Sequence, residues 1–109
     1  MKLNDYQLMA REFAIYPVIG FAHIYPALGL SGEVGEVMEK IKKLHRDKEG
    51  VIDDEFKEAI KKELGDTFWY FSELCASFGF TLEEVARGNL VKLTIRADNN
   101  TLQGSGDDR

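Results

Sequence analysis

Two stretches of the chain, set thirty residues apart, carry one pattern: Leu30, Glu33, Val34, Gly35, Glu36, Ile41, Leu44, and then Ile60, Glu63, Leu64, Gly65, Asp66, Phe71, Leu74. Apolar residues recurring at i, i+3, i+4 and i+7 make one face of a helix. The repeat therefore asks for two helices that bury matching stripes. Each stretch also holds an acid-x-x-acid pair, and residues three apart on a helix project from nearly the same side. Two helices packed through their stripes can aim all four carboxylates, Glu33, Glu36, Glu63 and Asp66, at one region. Partly buried, such a set repels itself, and its members either keep their protons or take up a cation. Oxygen ligands select hard ions, chiefly Mg2+, Mn2+ or Ca2+.

Helical angles place the acids more closely. At about 100° per residue, Glu33 lies about 20° from Leu44 at the edge of its stripe, with Glu36 about 60° further out. Glu63 and Asp66 bear the same relation to Leu74. They belong at the shoulder of the contact, where a cleft between helices opens. Gly35 and Gly65 sit beside the pairs, and a glycine inside a helix costs about 1 kcal/mol relative to alanine. Their equivalent positions suggest close approach of a backbone or a ligand. Single acid pairs at this spacing also occur on solvated helices, so the duplication and the stripe-edge placement carry the reading. Glu39, Glu55, Glu58 and Glu73 are read as helix surface, with Glu39 near enough to Glu36 to join a cluster.

Punctuation divides the chain into four helical segments. The first runs from Leu3 to about Tyr16 and stops at Pro17. The second spans about Ala27 to Asp47, and Gly50 ends the linker after it. Asp53 or Asp54 can cap the third, which Gly79 closes. Thr81 and Glu84 form a Thr-x-x-Glu capping box for the fourth, ending near Asp98. No strand pattern competes, so the class is all-α, an antiparallel helical bundle.

The length of 109 residues fits one domain whose core is small enough that oligomerisation would help. With 19 acids, 14 bases and a formal charge of -5, the chain has no general attraction for DNA, RNA or an anionic membrane. A lone cysteine, Cys75, excludes an internal disulfide. No run reaches the ~20 apolar residues of a membrane span, and the composition reads as a soluble, cytoplasmic protein. The fourth helix supplies positive charge: Asn89, Lys92 and Arg96 share one face beside the stripe Leu82, Ala86, Leu90 and Leu93. They can pair with neighbouring acids, or, next to a metal cluster, help neutralise a polyphosphate. Lys40 and Lys43 extend the acid-bearing face of the second helix, although Lys40 also suits an i, i+4 pair with Glu36.

The segments Leu-Gly-Leu-Ser-Gly-Glu33-Val-Gly-Glu36-Val, Lys-Lys-Glu63-Leu-Gly-Asp66-Thr-Phe-Trp-Tyr and Asn89-x-x-Lys92-x-x-x-Arg96 together resemble the MazG-like nucleoside triphosphate pyrophosphohydrolases. That family is marked by Glu-x-x-Glu, a spacer and Glu-x-x-Asp on an all-α fold shared with the dimeric dUTPases and the phosphoribosyl-ATP pyrophosphohydrolases. The resemblance runs from about Leu28 to Arg96. It implies hydrolysis of a (deoxy)nucleoside triphosphate between the α and β phosphorus atoms, giving a nucleoside monophosphate and pyrophosphate in nucleotide-pool control. It implies Mg2+, with Mn2+ as a substitute, on Glu33, Glu36, Glu63 and Asp66, which are also the catalytic residues. By position, Lys43, Asn89, Lys92 and Arg96 become candidates for phosphate and sugar contacts. It implies as well a homodimer or homotetramer, with the site completed near a subunit interface. A nucleotide-sensing protein that keeps the acids without turnover is the alternative, and a helical interaction module with solvated acids is a third reading.

Aromatic residues Phe13, Tyr16, Phe21, Tyr25 and Trp69 can stack a base, but in a small helical protein such residues are more often core. His23 and His45 lack the Glu-x-x-His spacing of di-iron bundles. The domain is expected over residues 1–98. The tail over 99–109, similar to that of short single-domain members of the family, is expected to fold over the site or across a partner subunit.

Overall fold

The computed structural model describes residues 1–109. It contains four helices and no named strand: α1 (Leu3–Arg11), α2 (Ile24–Asp47), α3 (Asp54–Ser77) and α4 (Leu82–Asp98). The main packing is between α2 and α3, while α1 lies against α3 and α4.

Local chemistry explains most boundaries. The Asp53 carboxylate accepts from the Phe56 amide at 2.8 Å and so caps α3. Gly79, at φ +79°, turns the chain out of α3 in a conformation that side chains resist. Thr81 and Glu84 make the reciprocal bonds of a capping box at the start of α4. Two residues of α1 finish that cap, since Gln7 Oε1 accepts from the Leu82 amide at 3.2 Å and Asn4 Oδ1 from the Glu83 amide at 3.0 Å. The other end of the buried Gln7 amide donates to the Phe80 carbonyl at 3.0 Å, which ties α1 to the α3–α4 turn.

Two boundaries differ from the sequence reading. Helix α1 ends at Arg11 rather than Tyr16: the amides of Phe13 and Ala14 bond to carbonyls three residues back and tighten the chain out of the helix. Pro17 also keeps Tyr16 from a helical conformation. Tyr16 can then cross to α3, where its hydroxyl donates to Glu73 Oε2 at 3.0 Å. Helix α2 begins at Ile24, so Pro26 falls in its first turn. An amide there has no partner inside the helix, and the missing N–H of proline costs nothing.

The interior is thin for a chain of this size. Val37 and Leu44 of α2, Cys75 of α3, Ala10 and Leu82 are the buried apolar side chains besides Pro26. Other members of the expected stripes stay open, with Leu64 52 % and Leu90 63 % exposed. The accessible surface is 8087 Å², where about 6,100 Å² is usual for a folded monomer of this mass. The radius of gyration is 17.0 Å, against about 13 Å for a compact chain of this length. No helix is long and apolar enough to cross a membrane.

Candidate metal centre

The α2–α3 pairing brings carboxylates from the two helices together. One oxygen each from Glu33, Glu63 and Asp66 lies within 4.8 Å of the others. Glu33 and Glu63 are half-buried and Asp66 is exposed, which matches the shoulder position that helical angles predict. Burial, followed by the charges of Asp66, Glu63 and Glu36, pushes the Glu33 carboxyl above its ordinary range. A hydrogen bond with Glu63 acts in the same direction. Such a group gains from any cation placed between its members. All-oxygen donors, with one side open for water or substrate, suit a hard divalent ion of the Mg2+ or Mn2+ kind.

Glu36 is exposed and stands outside this trio. Lys40 Nζ is 3.8 Å from Glu63 Oε1 and supplies a positive neighbour. Lys43 pairs with Glu39 at 3.8 Å and lines a cleft of about 260 Å³ beside the loop that joins α2 to α3, where Leu44, Phe56 and Ala59 are apolar walls and Lys40 joins the cleft to the acids. Asn89, Lys92 and Arg96 are placed elsewhere. Helix α4 makes no packing contact with α2, so within one chain these three lie apart from Glu33. The tail folds back on the same helix: Asp107 Oδ1 meets Lys92 Nζ at 2.9 Å and an Arg96 nitrogen at 3.4 Å.

The glycine expectation moves to a new position. A Cβ at Gly35 or Gly65 would meet nothing within 4 Å in this chain. At Gly29, by contrast, it would overlap the Tyr70 ring, which therefore lies against the α2 backbone one turn before Glu33. Burial, then Tyr25, Glu33 and Asp66, raise the Tyr70 phenol above its usual value, which sets Tyr70 beside the acids. Overpacking of this kind costs about 1–3 kcal/mol. Gly29→Ala is expected to lower the melting temperature by several degrees, and a melt equal to that of the unmodified protein would contradict this packing.

Glu73, read from sequence as helix surface, is wholly buried. Its Oε2 accepts from Tyr16 and has Arg11 at 3.9 Å, while its Oε1 has no partner. Burial and the bond to Glu73 push the Tyr16 phenol up to about 12. Tyr16 stacks on Tyr25 at 4.8 Å, and Trp69 donates to the Ala10 carbonyl at 3.0 Å, so both rings are structural here.

The sequence profile of the MazG nucleotide pyrophosphohydrolase domain matches residues 22–101, which include all four acids and the three polar residues of α4. Among curated proteins, the chain is similar to the "Gene 37 protein" of Mycobacterium phage L5, with 41 % identity over 114 aligned positions that span the whole of both chains. No solved structure matches. The chain belongs to the MazG nucleotide pyrophosphohydrolase family.

Proposed function

We propose that this protein hydrolyses (deoxy)nucleoside triphosphates between the α and β phosphates in a Mg2+-dependent reaction, releasing a nucleoside monophosphate and pyrophosphate, and so acts in control of the nucleotide pool. The observation that carries the reading is the convergence of Glu33, Glu63 and Asp66 from two helices within 4.8 Å, with Glu33 raised by burial and by its neighbours. A bound Mg2+ supplies neutralisation of phosphate charge and a lowered pKa for water at neutral pH. Glu33, Glu63 and Asp66 hold the ion. Glu36, one turn along α2, joins them as the fourth carboxylate, and whichever acid is not engaged by metal takes the proton of the attacking water. Lys43, Asn89, Lys92 and Arg96 bind phosphate and sugar oxygens.

The α4 residues reach the acids from a second copy of the chain. Two features support this: the absence of packing between α2 and α4 within one chain, and the excess of open apolar surface on α2, α3 and α4. A stable interface buries about 800 Å² per partner, and the excess surface is ample for one or two such contacts. Mixing Glu63→Gln chains with Lys92→Ala chains, each inactive alone, is expected to restore part of the activity, because some sites then receive both native halves. Absence of recovery in subunits proven to exchange would contradict a shared site.

The reaction itself is tested with a panel of ribo- and deoxyribonucleoside triphosphates, with and without Mg2+ or Mn2+, scoring pyrophosphate separately from orthophosphate. Metal-dependent pyrophosphate from at least one nucleotide is expected. Tight nucleotide binding without product would point instead to a sensing protein.

A further inference from the structure

The cations of α4 already hold an anion supplied by the chain itself. Asp107 Oδ1 is 2.9 Å from Lys92 Nζ, and the Arg96 guanidinium donates to the Asp107 carbonyl at 2.9 Å and reaches its carboxylate at 3.4 Å. Arg96 is buried, whereas Asp107 is 82 % exposed. A well-anchored cation thus faces a carboxylate that solvent reaches freely. The segment that presents Asp107 is shaped for the task. After α4, Asn100 adopts φ +55°, and Gly104 and Gly106 also take positive φ, so the chain doubles back. The Thr101 amide bonds to the Arg96 carbonyl at 2.7 Å. Arg109 then ties the hook with one guanidinium, donating to the carbonyls of Thr101 at 3.0 Å, Gly106 at 2.6 Å and Leu102 at 3.0 Å.

Charge makes this contact replaceable. Two cations face one carboxylate, which leaves one positive charge unmet, whereas a polyphosphate brings several negative charges and can bond both side chains at once. Lys92 and Asp107 lie in water, where ion pairs are weak and easily exchanged. Lys92 and Arg96 together lower the Asp107 carboxyl from its ordinary value, in keeping with a charged partner for both cations.

We propose that the hook over residues 99–109 is a latch in which the Asp107 carboxylate occupies Lys92 and Arg96 until a polyphosphate chain displaces it. The latch rests on the reading of these two residues as phosphate ligands, and it adds a regulated step to that reading: substrate must evict Asp107, and the hook opens as it does. A tail that only finishes α4 would make the same hydrogen bonds but would not compete with phosphate.

Inorganic tripolyphosphate tests this in EDTA, where the carboxylate cluster cannot contribute through metal. Titration calorimetry is expected to show Asp107→Asn binding tripolyphosphate about two- to fivefold more tightly than the unmodified chain, the range that corresponds to an exposed ion pair of up to about 1 kcal/mol. Arg109→Ala, which loosens the hook while leaving Asp107 in place, is expected to shift affinity the same way by a smaller factor. Amide exchange over residues 99–109 should rise on adding tripolyphosphate. Unchanged or weaker binding by Asp107→Asn overturns the latch, as does a failure of tripolyphosphate to bind either form. These readouts do not depend on turnover: tighter tripolyphosphate binding by a protein that cleaves no nucleotide would uphold the latch and remove the hydrolase reading. Where turnover is present, Asp107→Asn should lower KM for the nucleotide by the same factor and leave kcat in place.

Discussion

Glu63→Gln is expected to reduce Mg2+-dependent pyrophosphate release by about a hundredfold or more, because loss of even an outer-shell partner of a metal ligand commonly costs 10–100-fold and Glu63 belongs to the converged trio itself. The substitution keeps size and shape while removing one charge. It also relieves like-charge repulsion with Glu33, whose carboxyl is raised in part by Glu63. The metal-free variant should therefore melt no lower than the unmodified protein, apart from the loss of the partly exposed Lys40 partner at 3.8 Å, which is worth little. An inactive variant with an unchanged melt places the defect at the site. Activity within a few fold of normal would remove Glu63 from the chemistry.

The second large effect concerns stability. Tyr16→Phe leaves the wholly buried Glu73 carboxylate without its only hydrogen bond, because Oε1 has no partner and Arg11, half in solvent, is 3.9 Å away. Hydrogen bonds to charged groups contribute about 1.5–3 kcal/mol, and each kcal/mol moves the melting temperature of a domain near this size by about 4–8 °C. A fall of roughly 10 °C is expected, measured at one fixed protein concentration for both chains. Adding Glu73→Gln to Tyr16→Phe removes the stranded charge and should recover much of the loss. A Tyr16→Phe melt within a degree of normal would show that this bond is not needed to hold the α1–α2 connection on α3.

Features governed by neighbours along the chain are legible in the sequence alone. The cap of α4 depends on Thr81 and Glu84, the cap of α3 on one of Asp53 and Asp54, and the break after α3 on Gly79; the structure has the first and last where local rules put them and selects Asp53 for α3. The helical faces bearing Glu33, Glu63 and Asp66 are legible for a related reason: the apolar period fixes which side meets the partner helix. Sequence spacing does not say that Glu36 stays outside the trio, since that depends on how far α2 and α3 are offset along their axes.

The positions that sequence reasoning misses are those settled by distant partners. Tyr16 leaves the helix for Glu73, 57 residues away, and neither residue announces the other locally. Gly29 has a reason that only the Tyr70 ring reveals, whereas Gly35 and Gly65, the conspicuous glycines, face open space. Gln7 looks like an ordinary helical residue until its amide is seen to bridge Phe80 and Leu82. Asp107 is hidden in a polar tail, and its meaning comes from the side of α4 onto which the tail folds.

A titration of Mn2+ by electron paramagnetic resonance tests the central claim, that three carboxylates from α2 and α3 form a metal centre. The signal of free Mn2+ should fall as unmodified protein is added, and it should fall far less with a chain carrying Glu33→Gln, Glu63→Gln and Asp66→Asn together. Equal binding by the two proteins, or none by the unmodified one while it remains folded, would contradict the account.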